Sequence, residues 1–223
     1  MDIHCLTTGE FQTNCYIVPL APGGEPQAPA PGRGGKTSVL VIDPAAEPDV
    51  IIKTLDDNNF FPEYILLTHG HYDHCAALPA LYLHYNQEPV IGITAGDKHY
   101  LGAASYRTHY DSFNAIGFTQ FIDDLRDHPL PEAGVILNEG DTVGDFTCLL
   151  TPGHTEGSCV FYNEREQILF SGDTLFHGGF GRTDLPGGNE QKLIASLRRL
   201  FTLDGNVRVY PGHGCQTCIQ DER

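Results

Sequence analysis

The sequence predicts a layered α/β fold with mixed sheets. Short apolar runs of strand character recur along the chain, and longer stretches of helical period separate some of them. Elsewhere strand follows strand as in a hairpin. A purely parallel, doubly wound sheet needs a crossover helix between neighbouring strands, so the hairpins point to mixed sheets covered by helices.

Taken in order, strands are expected at 3–7, 14–18 and 38–42. The segment between the last two, APGGEPQAPAPGRGGK, is nearly all Pro, Gly, Ala and polar residues. It is expected to be a flexible loop at 21–37, because Cys15-Tyr16-Ile17-Val18 and Ser38-Val39-Leu40-Val41-Ile42 flank it as two strands of one hairpin. Further strands are expected at 64–67, 89–92, 135–137, 147–150, 158–162, 167–170 and 207–210. Helices are expected at 48–57, 74–85, 94–103 and 189–201. In the last, Leu193, Leu197, Leu200 and Phe201 share one face, and Arg198 and Arg199 sit where positive charge complements a helix C-terminus. Residues 105–134 are rich in Tyr, Asp and His but have no clear period, and no element is assigned there. The whole chain, 1–223, is expected to form one domain.

Composition narrows the function. Thirteen Lys and Arg against twenty-nine Asp and Glu give a net charge of −16, which repels nucleic-acid phosphates and anionic membranes. The expected partner is therefore a small molecule. No apolar run reaches the length of a membrane span, and the N-terminus lacks a basic, then apolar, leader. Seven cysteines, an odd number scattered along the chain, suit reduced thiols in the cytoplasm.

Eleven histidines need a reason, and Tyr64-Ile65-Leu66-Leu67-Thr68-His69-Gly70-His71-Tyr72-Asp73-His74 supplies one. An apolar strand ends in three imidazoles and a carboxylate, groups that are costly to bury unless metal ions satisfy them. Three more strands end in a glycine followed by a metal-ligand residue type: Thr151-Pro152-Gly153-His154, Ser171-Gly172-Asp173 and Tyr210-Pro211-Gly212-His213. Each glycine permits a tight turn and close backbone approach. The inventory of five His and two Asp suffices for two ions. Such ligands suit zinc first, with iron or manganese as alternatives.

The ordered set THGHYDH, TPGHT, SGDT and YPGHG resembles the metallo-β-lactamase superfamily, and the resemblance covers nearly the whole chain. It implies a four-layer αβ/βα sandwich with two divalent ions at one edge. It also implies a partition: His69, His71 and His154 on one ion, Asp73, His74 and His213 on the other, and Asp173 bridging. Within the superfamily, GDTLF followed by GRTDL is most similar to the glyoxalase II group, the hydroxyacylglutathione hydrolases, in its short single-domain form. That resemblance implies hydrolysis of a thioester, such as S-lactoylglutathione, by a hydroxide held between the two ions, with Asp73 and Asp173 as the catalytic carboxylates. Arg182 stands where the family places a basic residue against substrate, and His177, four residues after Asp173, is a second candidate for substrate binding. Asp184 and Cys215 stand where the family's substrate-contacting tyrosines are expected. The alternatives are an iron-dependent persulfide dioxygenase of the same superfamily and a hydrolase of another ester or lactone.

Three features remain. Asp43, ending the strand VLVID, is a candidate to orient a ligating histidine. Cys215-Gln216-Thr217-Cys218 is expected to be two incidental thiols. The other histidines, at 4, 84, 99, 109 and 128, are expected at the surface or at helix caps.

Overall fold

The computed structural model describes residues 1–20 and 35–223. Strands β1 (His4–Thr8), β2 (Thr13–Pro19), β3 (Thr37–Ile42), β4 (Phe60–Leu66), β5 (Val90–Thr94) and β6 (Val135–Leu137) form the first sheet in that order. The first three run antiparallel and β3 to β6 run parallel. The chain then supplies β7 (Thr142–Val143), β8 (Phe146–Leu150), β9 (Cys159–Asn163), β10 (Ile168–Gly172), the small hairpin β11 (Leu175–Phe176) and β12 (Gly179–Phe180), β13 (Arg208–Pro211) and β14 (Thr217–Cys218). All but the hairpin join in a second sheet ordered β14-β13-β10-β9-β8-β7. The helices are α1 (Pro48–Asp57), α2 (Tyr72–Cys75), α3 (Leu78–His84), α4 (Ser105–Ile116) and α5 (Glu190–Leu200).

The four-layer sandwich follows from strands that are apolar on both faces. In β3, Leu40 and Ile42 turn toward the second sheet, where they join Phe146, Phe161 and Phe170. Val39 and Val41 turn the other way, toward Ile51 and Leu55 of α1 and Leu78 and Leu81 of α3. On the far side, Leu169 and Val209 pack against Leu193, Leu197 and Leu200, the face expected of α5. Phe170 has no exposed surface, and cutting such a ring back to alanine costs about 3–5 kcal/mol. Asn189 caps α5 by accepting a hydrogen bond from the Lys192 N–H at 2.9 Å.

Several expectations need correction. The helix expected at 74–85 is two helices, α2 and α3. Pro79 lacks an N–H and its ring would clash with the preceding turn, so α3 starts afresh around it. The stretch at 94–103 is 3-10 helix (Ala95–Tyr100 and Gly102–Ala104), since the Asp97 carboxylate is drawn inward to other loops. The unassigned stretch holds α4 and a 3-10 segment, Thr119–Arg126. The buried residues of α4 are Ser105, His109, Ser112 and Phe113, so its helical period is written in residues that are mostly polar. Strand β4 begins at Phe60, four residues before the expected start, and its pairing with β3 skips a residue just after Pro62. The antiparallel pairing of β2 with β3 (Tyr16 opposite Ile42) agrees with the expected hairpin. Most of its loop, 21–34, lies outside the described residues.

Candidate metal centre

Every expected ligand leaves the C-terminal end of a strand. The His69–His74 run follows β4, with His71 preceding α2 and Asp73 and His74 inside its single turn. His154, Asp173 and His213 follow β8, β10 and β13, which all run in the same direction. Two glycines make the crowding possible. Gly172 has φ +48°, and a Cβ there would lie 2.3 Å from Thr68 Oγ1. A Cβ on Gly212 would lie 2.3 Å from Asp173 Oδ1.

Hydrogen bonds outside the cluster set the ring orientations. His154 Nδ1 lies 2.8 Å from the Arg182 carbonyl, and His213 Nδ1 lies 3.0 Å from the Phe11 carbonyl. A carbonyl only accepts, so each Nδ1 carries a proton and each Nε2 faces inward. His74 Nδ1 donates to Asp43 Oδ2 at 3.0 Å. Thr68 Oγ1 also donates to Asp43, at 2.7 Å, which leaves its lone pair to accept from His69 Nδ1 at 3.1 Å. Asp43 therefore orients two histidines, one directly and one through a hydroxyl, as its position at the strand end suggested.

The inward atoms face one another. His71 Nδ1 lies 2.9 Å from His154 Nε2, and His74 Nε2 lies 3.3 Å from His213 Nε2. Asp173 sits between the groups, with Oδ1 3.2 Å from His74 Nε2 and Oδ2 3.5 Å from His154 and 3.6 Å from His213. Asp73 Oδ2 lies 3.3 Å from His213 Nε2. Three overlapping triads could hold a cation: His69, His71 and His154; His69, His74 and Asp173; Asp73, His74 and His213.

Burial and charge split the histidines. Burial, with the neighbouring imidazoles, pushes His69 well below its ordinary pKa and His71 down to about 3, so both rings are neutral with lone pairs available. Burial acts the same way on His74, but Asp73, Asp173 and Asp43 outweigh it and raise its pKa well above the ordinary value. Asp173 and Asp73 similarly overcome burial to raise His213 to about 9. The carboxylates thus demand positive charge at this point.

The residues fit metal ions. His69 Nε2 is buried without a hydrogen-bond partner among the described residues, and such a vacancy costs about 1–3 kcal/mol. His71 Nδ1 and His154 Nε2 face each other at 2.9 Å, close enough for both to bind one cation.

The loops are held by residues that sequence reasoning missed. Asp97, fully buried, accepts from the Gly70 N–H at 2.8 Å, the Thr155 hydroxyl at 2.7 Å and the Gly157 N–H at 2.7 Å, which ties the first ligand loop to that of His154. Asn14 donates to the Pro211 and Gly214 carbonyls, and the Tyr16 hydroxyl donates to Pro211, so β2 clamps the His213 loop. No motif marks a lone Asp in AGDKHY or an Asn in TNCY. His109, expected at the surface or at a helix cap, is fully buried between Tyr72 and Tyr100.

Neither candidate for substrate binding is a member of a triad, although the Arg182 carbonyl bonds His154. Arg182 grips Asp184 through two hydrogen bonds, at 2.7 and 2.8 Å, and both side chains are at least half exposed. His177 bonds Glu222 at 3.0 Å on the surface. All seven cysteines are free thiols. Among the described residues no helix is long and apolar enough to cross a membrane.

Comparison with known proteins agrees with the architecture. Over 196 residues the chain is 34% identical to the probable metallo-hydrolase YqgX of Bacillus subtilis, covering 82% of this chain and 83% of that one. It is 29% identical to the hydroxyacylglutathione hydrolase GloC of Haemophilus influenzae, covering 100% and 95% of the two chains. A solved structure, TTHA1623 in a di-iron-bound form, superposes with a TM-score of 0.75 at 30% identity over 98% of this chain and 96% of that one. The sequence profile of one family matches residues 33–213, a span that contains every histidine and aspartate of the three triads. The chain belongs to the metallo-beta-lactamase superfamily and has the fold of that superfamily.

Proposed function

We propose that the chain is a metal-dependent thioester hydrolase whose substrate is an acyl-glutathione. The observation that carries the hydrolytic part is the pair of facing triads, His69-His71-His154 and Asp73-His74-His213, with Asp173 between them. These residues would hold two divalent ions, which when bound lower the pKa of a water and polarise an acyl carbonyl. The chain's own groups do the rest. Asp73 Oδ2, held by the Thr13 hydroxyl at 3.0 Å and 19% exposed, is the ligand carboxylate open to the cleft, where it orients the attacking water, whose proton passes to solvent. The leaving thiol, with a pKa near ~8.5, departs as thiolate and needs no acid.

The glutathione part rests on likeness to GloC and on Arg182. Its pairing with Asp184 is exposed and screened by solvent, so a substrate carboxylate can compete with Asp184 for the guanidinium. Zinc is the proposed metal, with iron an alternative. The test is a metal-reconstituted assay against acyl-glutathiones, lactones and β-lactams, with oxygen uptake followed on glutathione persulfide. Chelator-sensitive hydrolysis of the thioesters is expected. Turnover of lactones or β-lactams without thioesters would refute the proposal, and oxygen consumption would move the assignment to a persulfide dioxygenase.

A further inference from the structure

We infer that an apolar cavity beside Asp73 is an acyl pocket that selects substrates by the length of their hydrocarbon chain; the inference rests on the thioester reading above. The cavity has a volume of about 210 Å³. Its apolar lining comes from Phe11, Ala46, Tyr72, Ala76 and Phe121, and Asp73 and Thr13 stand at its border with the metal centre. The same Asp73 thus belongs to a ligand triad and to this cavity, so an acyl carbonyl positioned at the triads would direct its chain inward.

The walls are fixed. Phe11, in the turn between β1 and β2, packs edge-on against Phe113 at 6.3 Å and Phe121 at 5.8 Å between ring centres. Its carbonyl accepts from His213 Nδ1, so wall and ligand share one residue. Tyr72 lies between His71 and Asp73 in sequence and packs its ring on Phe113. The turn itself is tethered by a hydrogen bond from the Gly9 N–H to Glu47 at 2.9 Å, and the Ala46 N–H is held by Thr8 at 3.0 Å.

The chemistry of the lining selects the occupant. A buried hydroxyl or amide would find few partners against three aromatic rings and two methyl groups, whereas an alkyl chain needs none. The glutathione end is disfavoured there because Asp73 and Glu10 border the cavity and repel its carboxylates. At ~30 Å³ per water-sized group the space holds roughly seven such groups, enough for an acyl carbonyl and a chain of about five or six carbons in all.

The test is kcat/KM for acetyl-, butanoyl-, hexanoyl- and octanoyl-glutathione with the metal-loaded protein, together with binding of acetate and hexanoate, read from the amide NMR shifts of Ala46 and Phe121. A rise of up to about fourfold per methylene is expected as far as hexanoyl, with no further gain at octanoyl. Ala46→Leu, which fills the cavity, should cut the hexanoyl rate at least tenfold more than the acetyl rate and abolish the tighter binding of hexanoate over acetate. Phe121→Ala should extend the optimum to octanoyl. Thioester hydrolysis with a flat chain-length profile, or equal losses on all chains in Ala46→Leu, overturns the pocket and leaves the hydrolase reading standing. Failure to hydrolyse any thioester, with hexanoate still bound at Ala46 and Phe121 more tightly than acetate, overturns the hydrolase reading and supports the pocket. Neither hydrolysis nor preferential hexanoate binding overturns both.

Discussion

Asp97 touches no proposed ligand side chain, yet replacing it should damage both stability and metal retention. Its carboxylate has no exposed surface and accepts three hydrogen bonds, two on Oδ2 and one on Oδ1. In Asp97→Asn the amide oxygen can keep the two donors from Gly70 and Thr155, but the amide nitrogen then meets the Gly157 N–H, donor against donor. A lost charge-assisted bond is worth about 1.5–3 kcal/mol, and a buried donor left unpaired adds about 1–3 kcal/mol. Burial raises the pKa of Asp97, so the charge itself is costly and its removal returns part of the loss. The net expectation is about 2–4 kcal/mol, or roughly 4–16 °C in Tm for a domain of this size. Asp97→Ala, which strips all three donors, should cost more. Because Gly70 lies between His69 and His71 and Thr155 follows His154, metal affinity should fall in the same order as Tm. Thermal melts of the metal-free variants and metal titrations check this. An Asn variant with the wild-type Tm and affinity would refute the account of Asp97 as the tie between loops.

Chelation should lower Tm, because ions held by the folded state alone stabilise it by about 2.7 kcal/mol at one hundred times Kd, and reconstitution should return two ions per chain by elemental analysis. Asp173→Asn should release more metal than His213→Ala, since the Asp173 carboxylate lies within 3.6 Å of His74, His154 and His213; equal loss in the two variants would remove the bridging role. Burial lowers the pKa of His109 to about 4, against ~6.5 in the unfolded chain. Its neutral form therefore contributes stability that is whole above pH 6.5 and lost as pH falls toward 4, by roughly 3 kcal/mol in all. Denaturant melts of chelated wild type and His109→Phe should diverge from each other across that window and run parallel above it. Arg182→Ala should raise KM for acyl-glutathione and spare an uncharged thioester; equal losses on both would assign Arg182 to loop structure, through its pairing with Asp184.

What the sequence made legible follows from how each feature is encoded. The candidate ligands advertise themselves, since three histidines and an aspartate at a strand end have no packing explanation, and Gly before His154, Asp173 and His213 marks the turns. Helices α1 and α5 showed because their buried faces are aliphatic at helical spacing. The α4 face is Ser, His, Ser and Phe, so no hydrophobic period announced it. The division between α2 and α3 hung on Pro79, whose effect on a helix depends on where the first turn falls. Asp97, Asn14 and Tyr16 work through hydrogen bonds to partners far along the chain, and such partners are set only by the folded topology.

The clamp of Asn14 and Tyr16 on the Pro211–Gly214 turn joins residues separated by 195 to 200 positions. Contacts of that span are among the last that a folding chain can close, since the loop between them must first be ordered. The expected order is therefore that the cluster of His69, Asp73, Asp173 and His213 assembles after most of the sandwich has condensed. Interactions absent from the folding transition state act on unfolding alone. Metal should consequently leave the folding limb of a chevron plot where it is and slow the unfolding limb. The centre would then function as a latch on a finished sandwich, setting how long each molecule stays folded without changing how fast it folds.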